Sequence, residues 1–164
     1  KCTIVRDEGV HKTPEDKKQK IFKAYSWLTQ QITELSKKKK LNNYNASSIQ
    51  GKLHNEKDKI SWDLIKKMYL KPKYISPCHA GSLFGIVTAS GLVYPCEILE
   101  NKMIGNLREN DMNFMKIWEG LKAKETKEYI LKTNCNCSYE CALTYNILGN
   151  WRYQPSLISS ILKY

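Results

Sequence analysis

The sequence of 164 residues has no long hydrophobic run. The nearest approach is the stretch 157–162, which Ser159 and Ser160 interrupt, so no segment reaches the length that a bilayer crossing needs. A charged and then apolar opening of the kind that directs secretion is also missing. Because the chain begins at Lys1 rather than at Met, it resembles a piece of a longer protein. We therefore expect a cytoplasmic protein with no membrane partner.

Familiar catalytic and nucleotide-binding patterns are absent too. The sequence contains no Gly-rich phosphate loop, no Ser-His-Asp layout and no carboxylate pair with an evident acid–base role. Its net charge of +11, from 27 Lys and Arg against 16 Asp and Glu, would attract nucleic acid or other anions. Much of the excess lies in short runs such as residues 37–40, which are typical of solvated helix faces. Since no RNP aromatic motif or zinc-finger spacing accompanies them, nucleic acid is not the expected partner.

Cysteine is the residue type that stands out. Five of the six cysteines fall between residues 78 and 141, and three of them fall within seven residues. Disulfides would be expected in a secreted domain, but no export signal is present, and the C-x-C spacing of Cys135 and Cys137 is too tight for a comfortable bridge. Clustered thiols in a reducing compartment usually bind metal. Cys2, alone in an apolar stretch, is interpreted as a small core residue.

The N-terminal half predicts helices. An apolar stripe at three- and four-residue steps predicts a helix from Thr13, its N-cap, to about Lys39. Residues 41–59 are rich in Asn, Ser and charge, which predicts a linker or an exposed loop. Ser61 is then expected to cap a second helix.

A β-hairpin is predicted after Pro77. Residues 83–89 and 92–94 have strand character, and Ser90-Gly91 between them is typical of a turn. Cys78 precedes the first strand and Cys96 follows the second. Because antiparallel pairing brings the ends of a hairpin together, these two thiols should be neighbours.

Downstream of the hairpin the sequence predicts a turn and two further helices. Residues 104–106 have turn character, and either Asp111 or Asn113 could cap the helix that follows. Another helix should reach about Lys132, and Asn134 should end it before the cysteine loop. With the hairpin, these helices predict the α+β fold class.

The five clustered cysteines suit an iron–sulfur cluster, which needs four thiolates converging from short, irregular backbone. The hairpin ends supply Cys78 and Cys96, and the later loop supplies Cys135, Cys137 and Cys141. If Cys137 and Cys141 begin a helix, their spacing puts both on one face. The alternative is a zinc-stabilised basic module that binds nucleic acid or an acidic protein, although zinc prefers C-x2-C or C-x4-C spacing.

In its order of motifs, the chain resembles the SPASM/Twitch domain, the auxiliary-cluster extension of radical S-adenosylmethionine (radical SAM) enzymes. The resemblance covers roughly residues 76–150. It rests on Cys78, twelve residues, Gly91, four residues and Cys96, and on the later motifs Ile104-Gly105-Asn106-Leu107-Arg108, Ile117-Trp118 and the cysteine loop.

This resemblance implies a division of the chain. Residues 1–75 would be the end of a partial α/β barrel with connecting helices, in which residues 4–7 resemble a late barrel strand. Residues 76–151 would form the auxiliary-cluster domain, and residues 152–164 a C-terminal tail or helix.

The resemblance also implies one [4Fe–4S] cluster. The full family pattern has seven cysteines for two clusters, and this chain has too few. Within the family, the last member of the cysteine loop usually shares a cluster with the hairpin pair. That favours Cys141 with Cys78 and Cys96, and leaves either Cys135 or Cys137 as the fourth ligand.

The radical SAM signature C-x3-C-x2-C is missing, because Thr144 stands where the third thiol would follow Cys137 and Cys141. S-adenosylmethionine would therefore bind only in a full-length enzyme, and this chain alone should not cleave it. The resemblance implies a part of a radical SAM oxidoreductase or maturase, whose auxiliary cluster relays electrons or helps to hold the substrate. The expected partners are the remainder of the barrel and a peptide or small-molecule substrate.

Overall fold

A computed structural model describes residue 4 and residues 13–41, 47–71 and 73–162. The predictions for Cys2 and for a strand at residues 4–7 lie outside these ranges, except that Ile4 is buried. The described residues contain six α-helices and one antiparallel sheet of three strands, which confirms the α+β class. None of these helices combines the length and the apolar character that a membrane crossing requires.

The chain divides into two compact units, residues 1–73 with 138–164 and residues 74–137, and each is described by itself. In the first unit, α1 spans Glu15–Lys37, α2 Ile49–Leu70, α5 Glu140–Leu148 and α6 Gln154–Leu162. Helix α2 contacts the other three helices. Its apolar side chains, with those of the neighbouring helices, form a buried core that includes Tyr25, Trp62, Leu64, Ile65, Met68, Leu143, Ile147 and Leu157.

Helix α1 confirms the first predicted helix but not its cap. The N-cap position is occupied by Pro14, which has no side chain that could accept a hydrogen bond, and Thr13 lies one residue too early. Glu15 and Asp16 instead place negative charge in the first turn, where it interacts favourably with the helix dipole.

The second helix begins much earlier than predicted. Ser48, not Ser61, is its N-cap, and the Ser48 side chain accepts a hydrogen bond from the backbone N–H of Gly51 at 3.0 Å. The loop predicted for residues 41–59 is therefore wrong from Ile49 onward. The charges that suggested exposure misled, because Lys57 and Asp58 are buried and form an ion pair with each other. Packing against three helices overrode a composition with weak helix signals.

The second unit contains the predicted hairpin. Strand β1 spans Ile86–Val87 and β2 spans Leu92–Tyr94, and the two pair antiparallel. Between them, Gly91 has a φ of +89°, a left-handed conformation that a side chain would strain, and its N–H donates to the carbonyl of Thr88. The hairpin prediction is confirmed, with a first strand shorter than expected.

The turn predicted at residues 104–106 is wrong. Strand β3, Gly105–Asn106, pairs antiparallel with β2 and completes the sheet in the order β1-β2-β3. Gly and Asn are typical of turns, and pairing with β2 outweighed that preference.

Two helices follow the sheet, as the sequence predicts. Helix α3, Phe114–Trp118, has Asn113 as its N-cap, and the Asn113 side chain accepts from the N–H of Lys116. Helix α4 spans Leu121–Lys132. One hydrophobic cluster of this unit joins the sheet to both helices through Val93, Ile104, Ile117 and Ala123.

Gly105 is a point of close approach between the sheet and α3. A Cβ at this position would lie 2.6 Å from Cγ2 of Ile117, a buried, β-branched side chain with little freedom to move. We expect Gly105→Ala to lower the free energy of unfolding by about 1–3 kcal/mol through overpacking. Thermal unfolding of both proteins at equal iron loading measures the change. In an Ile117→Ala background the same substitution should cost less, and an equal cost there would show that this contact is not the cause.

Candidate metal centre

The segment around Cys78 folds back on itself immediately before the hairpin. The N–H groups of Ser82 and Leu83 donate to the carbonyl of His79, and Gly81 N–H donates to the carbonyl of Phe84 at 2.8 Å. This compact turn leaves Cys78 buried, with 8% of its surface exposed. The backbone around this cysteine is short and irregular, as a thiolate ligand site requires.

Cys96 follows the second strand of the hairpin. The preceding residue, Pro95, is almost fully buried, and Cys96 itself is half-buried. Cys96 packs against the hydrophobic cluster that contains Cys78. The hairpin therefore places both cysteines at one hydrophobic cluster, and a direct contact between their thiols stays a prediction.

Cys135 is positioned by the way helix α4 ends. Asn134 has a φ of +49°, and its N–H donates to the carbonyl of Leu131, while Cys135 N–H donates to the carbonyl of Ile130 at 3.0 Å. These two bonds are those of a Schellman motif, in which a left-handed residue stops the helix and turns the chain back over its last turn. As a result, Cys135 packs beside Ile130 in the same cluster as Cys78 and Cys96. Asn134 thus acts as the predicted helix breaker.

The three cysteines share an apolar surrounding. Cys78, Ala80 and Ile130 are buried together, and the partly buried side chains packed against them are Phe84, Cys96, Leu99 and Cys135. The sequence analysis did not single out Ala80, Phe84, Leu99 and Ile130. The sequence did contain a signal for Ile130. Ala123, Thr126 and Ile130 follow one another at steps of three and four residues, and together they form the buried side of α4. Such a surrounding limits water at the thiols.

The thiols also interact electrostatically. A side-chain hydrogen bond with Cys78, followed in importance by burial, raises the pKa of Cys135 above its ordinary value. The charges of Cys78, Cys137 and Cys96 act in the same direction. The thiols of Cys78, Cys96 and Cys137 are therefore close enough to Cys135 to affect its ionisation. A bound metal ion would balance the charge of several thiolates, and its binding would release their protons.

Cys137 and Cys141 differ from the prediction in their backbone setting. Helix α5 begins at Glu140, so Cys141 lies in its first turn and Cys137 lies outside it, in irregular chain. The prediction that both start one helix is wrong, because Tyr139 occupies the N-cap position. Cys141 is exposed and belongs to the first unit. Its role as a ligand stays a prediction.

The donor set has the chemistry that an iron–sulfur cluster needs. None of the five cysteines of residues 78–141 forms a disulfide. Within the ranges that the structure describes, no three Cys, His, Asp or Glu side chains are arranged around one point to hold a metal ion. The observation in favour of a centre is instead the packing of Cys78, Cys96 and Cys135 in one hydrophobic cluster, where a hydrogen bond with Cys78 raises the pKa of Cys135. These side chains fit a cluster as its thiolate donors.

Comparison with known proteins supports this interpretation. Residues 78–142 match the family model of SPASM, described as an iron–sulfur cluster-binding domain. No curated protein and no solved structure matches the chain. The matched segment begins at Cys78 and includes the hairpin, α3, α4 and the whole cysteine loop. Residues 78–142 of this chain are therefore similar to the SPASM iron–sulfur cluster-binding domain.

Proposed function

We propose that the chain binds one [4Fe–4S] cluster and serves as the auxiliary-cluster module of a radical SAM enzyme. The observation that carries the proposal is the convergence of Cys78, Cys96 and Cys135 in one apolar cluster of a segment that matches the SPASM family. When bound, such a cluster supplies one-electron transfer to or from a substrate, or a surface that positions it. Because the proposed ligands form no disulfides, we place the protein in a reducing compartment, the cytoplasm.

The proposed ligands are Cys78, Cys96, Cys135 and Cys141. The contacts of Cys135 support it over Cys137 as the member left open by spacing, because Cys135 makes the direct hydrogen bond with Cys78 and packs in the same apolar cluster. Cys141 is included because the family resemblance assigns it to the cluster of the hairpin pair. In this arrangement each thiolate comes from irregular chain or a helix terminus.

Phe84, Leu99 and Ile130 have a second role in the proposal. Their side chains pack in the same hydrophobic cluster as Cys78 and Cys135 and would limit the access of water to the proposed centre. Water exclusion and hydrogen bonding at the sulfur atoms are the means by which a protein sets the reduction potential of such a centre. These side chains would therefore decide which electron partners the module can serve.

The proposed partners are the remainder of a radical SAM barrel and its peptide or small-molecule substrate. The chain lacks the third cysteine of C-x3-C-x2-C, so cleavage of S-adenosylmethionine is not assigned to it. Within the complete enzyme, the chain would relay electrons or help to position the substrate.

Metal identity is the first test of the proposal. After anaerobic reconstitution with iron and sulfide, we expect a brown protein with about four irons per chain, because the cysteines supply one set of four thiolates. Metal analysis and visible absorption measure this. A colourless protein that takes up one zinc and no iron would contradict the proposal and favour a structural zinc site.

A further inference from the structure

The net positive charge of the chain belongs to the first unit. Residues 74–137 contain seven Lys and Arg and seven Asp and Glu, so their net charge is zero. Subtracting them from the totals of 27 and 16 leaves 20 basic and nine acidic residues in the first unit, which carries the whole charge of +11. A potential of this sign attracts anionic partners and repels a second copy of the same unit.

Helix α1 has one side that faces away from the core of this unit. Its buried side includes Tyr25 and Thr29, and the helix packs on α2. Trp27 is two residues from each of them in sequence, which places it about 200° around the helix from both. Its side chain is accordingly exposed over 62% of its surface. The side of α1 opposite the core is therefore open to a partner.

Three lysines share this exposed side in the N-terminal half of α1. Lys17, Lys20 and Lys23 follow one another at three-residue steps, and all three are exposed. Among the residues that the structure describes, no carboxylate forms an ion pair with any of these three ammonium groups. Asp16 lies beside them, so the four side chains together have a net charge of plus two. An anionic partner would balance this charge.

Apolar side chains are exposed in the C-terminal half of the same helix. Besides Trp27, Leu28 is exposed over 40% and Leu35 over 37% of its surface. Leu28 and Leu35 are seven residues apart and so lie on nearly the same side of the helix. The carboxylate of Glu34 in this half accepts a hydrogen bond from the Gln30 amide at 3.2 Å. Helix α1 thus presents a basic half followed by an apolar half.

This arrangement distinguishes between kinds of partner. A nucleic acid has charge along its whole length, whereas the lysines of α1 give way to apolar side chains after about two turns. A bilayer surface needs an apolar face along the whole helix, and half of this side is basic. A second copy of α1 would set lysines against lysines if parallel, and lysines against apolar side chains if antiparallel. A peptide with carboxylates in one half and apolar side chains in the other complements both halves.

We propose that the exposed side of α1 binds an acidic amphipathic peptide segment, whose carboxylates pair with Lys20 and Lys23 and whose apolar side chains contact Trp27 and Leu28. No proposed cluster ligand lies on α1, so binding should be the same with and without iron. The inference therefore stands apart from the proposed function and can fail without it.

Fluorescence anisotropy of three labelled peptides of equal length, titrated with the full chain, tests the proposal. The first peptide has glutamates in one half and leucines in the other, the second has serines in place of the leucines, and the third has lysines in place of the glutamates. We expect saturable binding of the first with a dissociation constant of about 100 μM or tighter, and binding of the others at least about tenfold weaker.

Three outcomes of these titrations would overturn the proposal. The first is absence of saturation by the first peptide up to about 1 mM. The second is equal binding of the peptide without leucines, which would show that Trp27 and Leu28 do not take part. The third is tighter binding of a single-stranded oligonucleotide, or of vesicles of anionic phospholipid, than of the first peptide.

A matched pair of tryptophan variants locates the binding on α1. Trp27→Ala should weaken binding of the first peptide by about tenfold or more, because an exposed ring of this size is the main apolar contact. Trp151→Ala is the control, since it removes a ring exposed over 84% of its surface from another part of the same unit. It should change binding less than about twofold. Equal weakening by both variants would contradict a site on α1.

Lysine variants separate this surface from the general attraction of a basic protein. Lys20→Gln/Lys23→Gln should weaken binding by about fivefold, the loss expected for two exposed ion pairs. The control Lys67→Gln/Lys71→Gln removes the same charge from exposed positions at the end of α2 and should change binding less than about twofold. Equal weakening in both double variants would show that only the net charge matters, and would overturn the proposal.

Discussion

Cys135→Ala should abolish cluster binding, whereas Cys137→Ala should leave most of it intact. Both thiols come from the loop after α4, but Cys135 hydrogen-bonds with Cys78 and packs with it in an apolar cluster. Loss of one thiolate from a set of four leaves an iron atom without its protein ligand. Iron content and the visible spectrum after identical reconstitution compare the two variants, which differ by two positions in one loop.

The same measurement extends to the other cysteines. Cys96→Ala and Cys141→Ala should also abolish binding, and Cys2→Ala is the control that should keep full iron content. Full occupancy in Cys96→Ala would mean that the hairpin does not contribute to the centre. If Cys135→Ala kept its iron and Cys137→Ala lost it, Cys137 rather than Cys135 would be the fourth ligand. The proposal of a cluster would not be affected by that result.

Removal of iron should loosen the two ends of the second unit far more than its sheet. The turn after Cys78 and the loop at Cys135 both contribute to the hydrophobic cluster that contains the thiols, so a bound metal would act there as a cross-link. The sheet has strands of two or three residues, which are marginal by themselves, but Val93 and Ile104 have a second hydrophobic cluster beneath them. Helix α1 belongs to the other unit and has its own buried contacts.

Amide hydrogen exchange of the iron-loaded and iron-free proteins tests this ordering. The amides of Gly81 and Cys135, which donate to Phe84 and Ile130, should lose protection by about 100-fold or more, equivalent to about 2.8 kcal/mol. The amide of Ile104, which donates to Val93, should lose less, and amides within α1 should hardly change. Equal protection of Gly81 and Cys135 in both forms would mean that the cysteines occupy a preformed pocket. Equal loss in α1 would mean that the units unfold together.

The sequence predicted the hairpin because its signals are local. Gly91 allows the left-handed conformation that the turn needs, and strand-forming residues flank it. The ends of α3 and α4 were predicted for the same reason, since Asn113 and Asn134 act within a few residues of their own position.

Signals that depend on distant packing misled. Ser48 and Ser61 are equally able to cap a helix, and only the contacts of α2 with three other helices decide that residues 49–60 are helical. Gly105 and Asn106 prefer turns, but β2 offers them a partner strand. Lys57 and Asp58 suggested a solvated loop, and their mutual ion pair lets both be buried.

By itself, then, the sequence determined that residues 78–142 are similar to an iron–sulfur cluster-binding domain, because the types and spacing of its residues can be compared without knowledge of the fold. Tertiary structure alone decided which thiols meet. Cys135 lies beside Cys78 because the Schellman turn at Asn134 folds the chain back over α4 and Ile130 packs under both. It also decided which side of α1 stays exposed, since Tyr25 and Thr29 are buried where α1 packs on α2 and Trp27 is left open. Both outcomes depend on contacts between residues far apart in the chain, for which spacing carries no information.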